Sequence, residues 1–172
     1  RCAQVCPAGA LRIIGESVPA GALLERAARL KPFFRHSGGG LTVTGGEPAM
    51  QPDFAAAVLA GCRRRGIHTA LETCGACSTD PMMRLAQHTD LILFDLKLID
   101  QAAHRHWTGT SNEQILTNAA ALAGRNVRVR VPLIPGVTDT PENLEAIFTL
   151  MRECGLDRVD LLPYNPSAGA KY

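Results

Sequence analysis

Long apolar runs, a large excess of one charge and low-complexity segments are all missing from this sequence of 172 residues. No run approaches the roughly 18 apolar residues that a membrane-spanning helix needs, so we expect no membrane partner. The net charge of +2 argues against a nucleic-acid partner, because nucleic acids select strongly basic surfaces. With 46% hydrophobic and 20% charged residues, the chain is predicted to form one folded domain or a large part of one.

The start of the chain lacks both a methionine and the apolar stretch of a secretion signal, since it reads Arg1-Cys2. We interpret this start as a truncation. The six cysteines are too few for a small disulfide-rich domain, so their positions carry more information than their number.

Strand-like and helix-like segments alternate along the chain. Short apolar runs predict strands at 41–44, 67–73, 91–96, 127–133 and 159–162. Amphipathic spacing predicts helices at 17–31, 52–65, 80–88, 113–124 and 140–154. The run at 91–96 is nearly all apolar, as in a strand buried on both faces. This alternation predicts an α/β fold with a parallel sheet, whose ligands bind at the carboxyl ends of the strands.

The segments that follow the first and third strands are candidate ligand contacts. Gly45-Gly46-Glu47 would allow close approach of a backbone to a ligand, and its oxygens could accept from an ammonium group. The alternative is a tight turn with a solvated glutamate. Asp95 and Lys97 face the same way by the two-residue period, which suits a zwitterion or ribose hydroxyls. The alternative is a structural ion pair at the rim of a barrel.

Glu72 and Thr73 end the neighbouring strand with oxygen ligands. A cation shared with Asp95 is therefore one interpretation, and an exposed strand end is the other. The pair Cys74-x2-Cys77 follows directly, and it is compatible with a redox dithiol, an accessory cluster or incidental thiols.

The motif His104-x-His106 stands beside Trp107, further along the chain. It suggests either a metal ligand pair or a solvated helix end, and we expect the solvated helix end.

Five segments, in this order, resemble the radical S-adenosylmethionine (SAM) activating enzymes of glycyl radical enzymes, among which pyruvate formate-lyase activase is the best known. They read SGGGLTVTGGEP at 37–48, GIHTALET at 66–73, FDLK at 94–97, PLIPG at 132–136 and LLPY at 161–164. The resemblance covers about residues 32 to 172. It implies a partial parallel (βα)6 radical-SAM barrel that lacks its first strand and its cluster loop.

The same resemblance implies a function and a set of site residues. Such enzymes cleave SAM reductively to a 5′-deoxyadenosyl radical, which takes a hydrogen atom from a backbone glycine of a partner enzyme. The residues matched to SAM contacts are Gly45, Gly46, Glu47, Asp95, Lys97, Arg130 and Asn165. Those matched to a monovalent cation are Glu72, Thr73 and Asp95, with the carbonyl of Leu93. The match is imperfect at two positions, since the formate-lyase activase has Asp in place of Glu72 and His in place of Asn165.

Cys2-x3-Cys6-Pro7 resembles the end of a bacterial ferredoxin cysteine run. This implies that residues 1–15 are the remnant of a ferredoxin-like insert, with Cys2 and Cys6 as partial ligands of an accessory 4Fe-4S cluster, and that residues 16–172 are the partial barrel. Two unrelated thiols are the alternative. The Cys-x3-Cys-x2-Cys of the radical cluster is absent from the sequence, so we expect these residues to be inactive alone.

The implied partners are a glycyl radical enzyme as protein substrate and a flavodoxin or ferredoxin as electron donor, in a reducing cytoplasm. In such an enzyme the residues matched to SAM contacts, Gly46, Glu47, Asp95 and Lys97 among them, would position SAM rather than act as acids or bases. Two other functions stay open: a radical SAM enzyme that acts on a small molecule, and a non-catalytic module that binds SAM or a nucleotide.

Overall fold

The computed structural model describes residues 2–8, 10, 11, 13 and 15–165. The remaining residues of the two predicted segments, namely 1, 9, 12, 14 and 166–172, lie outside the described residues. The division of the chain at residue 15 stays a prediction.

Within the described residues, five parallel strands form a single sheet in the order β1-β2-β3-β4-β5, as the spacing of the apolar runs predicted. They are β1 Gly40–Val43, β2 His68–Thr73, β3 Leu91–Asp95, β4 Val127–Leu133 and β5 Val159–Pro163. The α/β fold class is therefore confirmed, and the sheet is consistent with a partial radical-SAM barrel.

Two helices precede β1, namely α1 Ala20–Arg29 and α2 Lys31–Ser37. The helices that connect successive strands are α3 Pro52–Arg64, α4 Thr79–Ala86, α5 Gln101–Thr108, α6 Glu113–Ala121 and α7 Pro141–Glu153. A short 3-10 turn, Pro48–Met50, follows β1. Helices α2 and α5 were not predicted, because α2 buries no residue and α5 buries only His104, so neither shows an apolar period.

The two faces of the sheet differ in burial, and this difference positions the site. One face packs against the helices through fully buried side chains such as Leu71, Phe94 and Val129. The opposite face carries half-buried side chains, both apolar ones and the charged Glu72, Asp95 and Arg130. The prediction that β3 is buried on both faces is therefore wrong for the described residues, since its second face is only partly covered. No helix of the described chain is both long and apolar enough to cross a membrane.

Candidate functional site

Three charged side chains meet on the polar face of the sheet, at the carboxyl end of its strands. Arg130 of β4 donates from Nε to Asp95 Oδ1 at 2.8 Å, and its Nη2 lies 2.7 Å from the same oxygen. The same Nη2 lies 2.8 Å from Glu72 Oε1. The register explains this meeting, because Asp95 pairs directly with Arg130 and Glu72 lies one strand further along. Arg130 therefore joins the ends of β2, β3 and β4.

Burial and charge act differently on the two carboxylates. The hydrogen bond from Arg130 holds the pKa of Glu72 below its ordinary value, and a hydrogen bond from Thr44 adds to this. Burial raises the pKa of Asp95 above its ordinary value, although Arg130 and Lys97 oppose the rise. The more deeply buried Asp95 therefore has a raised pKa in spite of its cationic neighbours, whereas the pKa of Glu72 is lowered.

Asp95 and Lys97 lie together, as the alternation of the strand predicted. Both line a small cavity of about 110 Å³ beside the end of β3, where Cys74, His104 and Thr108 form part of the wall. A cation and an anion therefore share one concave surface that is large enough for part of a ligand.

Glu47 is bonded inside the protein. Its Oε1 accepts from Ala49 N at 3.1 Å and from Thr73 Oγ1 at 2.7 Å. Its Oε2 accepts from Cys74 N at 3.0 Å and from the Cys74 thiol at 3.1 Å. The carboxylate therefore ties the loop after β1 to the loop after β2, so the solvated glutamate of the alternative interpretation is not what the structure shows. A SAM contact by Glu47 stays a prediction.

Gly45 and Gly46 form an exposed stretch of backbone at the end of β1. Gly45 has φ +125°, a conformation that favours glycine, and no atom lies within 4 Å of where a Cβ would stand on either residue. The space in front of this backbone is therefore open to a ligand.

The residues matched to a monovalent cation are brought together only in part. Glu72 and Asp95 converge, but on the guanidinium of Arg130. Thr73 is buried on the opposite face, where its hydroxyl donates to Glu47 and accepts from Gly75 N at 2.9 Å. A cation at this place stays a prediction.

The remaining predicted ligands are Cys2, Cys6 and Asn165. Cys2 is exposed and Cys6 is half-buried in the turns that precede α1, and Asn165 is exposed just after β5. Across the described residues, no group of three or more His, Cys, Asp and Glu side chains is arranged to hold a metal ion.

Cys74 and Cys77 are both protonated thiols at neutral pH. Burial, together with the hydrogen bond to Glu47, raises the pKa of Cys74. Burial and the negative charge of Glu47 raise the pKa of Cys77 to about 11. A redox dithiol needs a lowered thiol pKa, so the structure favours a structural role for this pair.

Sequence reasoning missed several buried polar residues beside the site. His104 is only 4% exposed, and its Nδ1 donates to the Thr110 carbonyl at 2.9 Å, so the predicted solvated helix end is wrong for this residue. His106 and Trp107 are exposed, as expected. Asn112 and Asn143 are buried near the amino ends of α6 and α7. Asn112 is the N-cap residue of α6 and Asn143 lies in the first turn of α7, and an asparagine at the start of a predicted helix was the available signal.

Comparison with known proteins identifies the family. The sequence profile of the Radical SAM superfamily matches residues 4–151. The choline trimethylamine-lyase activating enzyme of Oleidesulfovibrio alaskensis is 42% identical over an alignment of 172 positions, which covers 96% of this chain and 56% of that protein. The pyruvate formate-lyase 2-activating enzyme of Escherichia coli is 35% identical over 174 residues, which cover 100% of this chain and 60% of that protein. The chain thus spans somewhat more than half the length of these curated relatives.

A solved structure agrees with these relatives. A crystal structure of a domain of the pyruvate-formate lyase-activating enzyme from Bacteroides vulgatus superimposes with a TM-score of 0.69 and 30% identity, over 75% of this chain and 83% of that one. The superfamily uses SAM and a 4Fe-4S cluster. This chain belongs to the radical SAM superfamily and, within it, to the activating enzymes of glycyl radical enzymes.

Proposed function

We propose that this chain positions SAM in an enzyme that activates a glycyl radical enzyme. When bound and reductively cleaved, SAM supplies the 5′-deoxyadenosyl radical that takes a hydrogen atom from a backbone glycine of the partner. The observation that carries the proposal is the paired charge of Asp95 and Lys97 in one cavity at the carboxyl edge of the sheet, with Arg130 bonded to Asp95.

The residues at this edge fit the chemistry of SAM. Its methionyl carboxylate suits the ammonium group of Lys97, and its ammonium and ribose hydroxyls suit the oxygen acceptors of Asp95. The open backbone at Gly45 and Gly46 leaves room for close approach and offers carbonyl acceptors. Arg130 orients the Asp95 carboxylate and opposes the rise of its pKa that burial causes. These are positioning roles, in which binding geometry lowers the entropy lost on reaching the reactive arrangement.

Among the described residues, no group of three or more His, Cys, Asp and Glu side chains could hold an iron–sulfur cluster by itself. Cys2 and Cys6 as accessory-cluster ligands, Asn165 as a SAM contact, and Glu72 with Asp95 as part of a cation site belong to the same proposal. So do an electron donor of the flavodoxin or ferredoxin class and a cytoplasmic location.

The test uses the protein expressed from its whole gene and purified without oxygen. It is incubated with SAM, a reductant and a glycyl radical enzyme such as choline trimethylamine-lyase or isethionate sulfite-lyase. Electron paramagnetic resonance detects the glycyl radical, and chromatography detects 5′-deoxyadenosine. We expect both products, reduced more than about tenfold in Asp95→Asn and Lys97→Met. Asp157→Asn, an exposed aspartate before β5, is the matched control and should match the unaltered protein.

Each outcome separates the candidate functions. Formation of 5′-deoxyadenosine without a glycyl radical in any partner would favour an enzyme that acts on a small molecule. SAM binding without cleavage would favour a binding module. Equal yields from all variants would overturn the assignment of Asp95 and Lys97.

A further inference from the structure

The segment that carries Lys97 lies beyond the last paired residues of the sheet. Strand β3 ends at Asp95, whose partner in the register is Arg130. Leu96 N still donates to the Arg130 carbonyl at 3.0 Å. The next three residues, 97–99, leave the ladder, so other groups must hold them in place.

The side-chain amide of Asn143 makes hydrogen bonds to both ends of this segment. Its Nδ2 donates to the Lys97 carbonyl at 2.8 Å, and its Oδ1 accepts from Ile99 N at 3.1 Å. The same Nδ2 donates to the Thr138 carbonyl at 3.0 Å, which belongs to the loop after β4. Asn143 is 8% exposed and occupies the first turn of α7, whose start is fixed by the Thr140 cap.

A second buried amide makes hydrogen bonds to the same segment. Asn112, which precedes α6 and is 2% exposed, donates from Nδ2 to the Leu98 carbonyl at 3.0 Å and to the Ile99 carbonyl at 2.7 Å. Residues 97–99 therefore make at least four hydrogen bonds to two buried asparagines from different helices.

Burying an amide costs free energy unless its polar atoms make hydrogen bonds. Both Nδ2 and Oδ1 of Asn143 make hydrogen bonds to backbone groups of the loops that follow β3 and β4. The side chain of Lys97 is long and flexible, so its ammonium group is placed well only if its own backbone is fixed.

We propose that Asn143 is a positioning residue for Lys97, with Asn112 as its support. Asn143 holds the Lys97 backbone so that the ammonium group faces the ligand. This inference rests on the proposed function, in which Lys97 contacts SAM.

A double-mutant cycle tests it on the protein expressed from its whole gene. The dissociation constant of radiolabelled SAM is measured by anaerobic equilibrium dialysis for the unaltered protein, Lys97→Met, Asn143→Asp and the double variant. Asn143→Asp preserves volume and the acceptor for Ile99 N. It replaces the amide donor with an oxygen that repels the Lys97 and Thr138 carbonyls.

We expect Lys97→Met to weaken SAM binding about tenfold, as for loss of a charged contact. Asn143→Asp should weaken binding several-fold in the unaltered background and less than about twofold in the Lys97→Met background, because its effect passes through Lys97. Asn112→Asp should behave in the same way, and it serves as the second variant if Asn143→Asp does not fold.

Asn126→Asp is the matched control. Asn126 donates to the Asp90 carbonyl at 2.7 Å, but at the amino edge of the same sheet, so its substitution should leave SAM affinity unchanged. Equal effects of Asn143→Asp in both backgrounds would overturn the inference while leaving the proposed function intact. Unchanged affinity in Lys97→Met, or no SAM binding at all, would overturn the proposed contact of Lys97 and the inference with it.

Discussion

Replacement of Arg130 by methionine removes the guanidinium group that contacts both Glu72 and Asp95. Methionine keeps much of the side-chain volume but leaves two carboxylates facing each other. Their oxygens are at most about 5.5 Å apart, because both contact the same Nη2, at 2.7 and 2.8 Å. At an effective dielectric constant of about 20, two negative charges at that distance repel by about 3 kcal/mol.

Partial exposure reduces this repulsion, since the side chains of Glu72 and Asp95 are 34% and 26% exposed. We therefore expect Arg130→Met to lower the free energy of unfolding by about 2 to 3 kcal/mol at neutral pH. Arg128→Met is the matched control. Arg128 lies two residues earlier on the same strand and pairs with Asp160 at 3.0 Å, with both side chains about 40% exposed. Its loss should cost at most about 1 kcal/mol.

The free energies of unfolding of the two variants should also depend differently on pH. Arg130 lowers the pKa of both Glu72 and Asp95, so its removal should raise the pKa of both groups in the folded state. An acid whose folded pKa is raised destabilises the fold above that pKa and ceases to do so once protonated. The deficit of Arg130→Met should therefore shrink as the pH falls from about 7.5 to about 5.

Urea denaturation at both pH values, followed by circular dichroism, measures this deficit. A deficit no larger than that of Arg128→Met would refute the reasoning. So would a deficit that grows as the pH falls.

Three further predictions concern the loops after β1 and β2. Glu47→Gln should lower the free energy of unfolding by about 1–3 kcal/mol in urea titrations, because its new amide N–H would face groups such as Ala49 N and Cys74 N that are themselves donors. An unchanged urea midpoint of unfolding would contradict this. Gly75→Ala should cost about 3 kcal/mol by the same assay, since its φ is +69° and a Cβ would stand 2.6 Å from Phe94. The control Gly124→Ala, with φ +74° and open space, should cost only about 1 kcal/mol, and equal costs would refute the steric argument. Because the pKa of Cys77 is about 11, its alkylation by iodoacetamide, followed by mass spectrometry, should still accelerate above about pH 9, and a plateau there would contradict the assignment.

The strands and the composition of the site could be predicted, because both depend on local pattern. An apolar run bounded by glycine or proline marks a strand, and a parallel sheet gathers its functional residues at one edge. Asp95 and Lys97 were found in this way, and they do share one cavity.

The pairing of the charged groups could not be predicted. Arg130 bonds to Asp95 and Glu72 through a register between strands that lie far apart in the sequence. Glu47 is a similar case, since its donors Thr73 and Cys74 come from the next strand and its loop. A sequence shows that a polar group is present, but its partner depends on the tertiary structure.

The burial of polar residues on helices could not be predicted from the sequence, for a related reason. His104 and Asn143 look like solvated residues, because polar side chains usually are. Their burial depends on carbonyl groups supplied by loops, those of Thr110 for His104 and of Lys97 for Asn143. Such loops show no period in the sequence.

A crystal structure of the protein expressed from its whole gene, grown with SAM, would show directly which residues contact SAM. We expect the methionyl part of SAM at the carboxyl edge of the sheet, with its carboxylate within hydrogen-bond distance of Lys97 Nζ and its ammonium group near the backbone of Gly45 and Gly46. SAM bound elsewhere, or bound without contact to Asp95 and Lys97, would contradict this expectation.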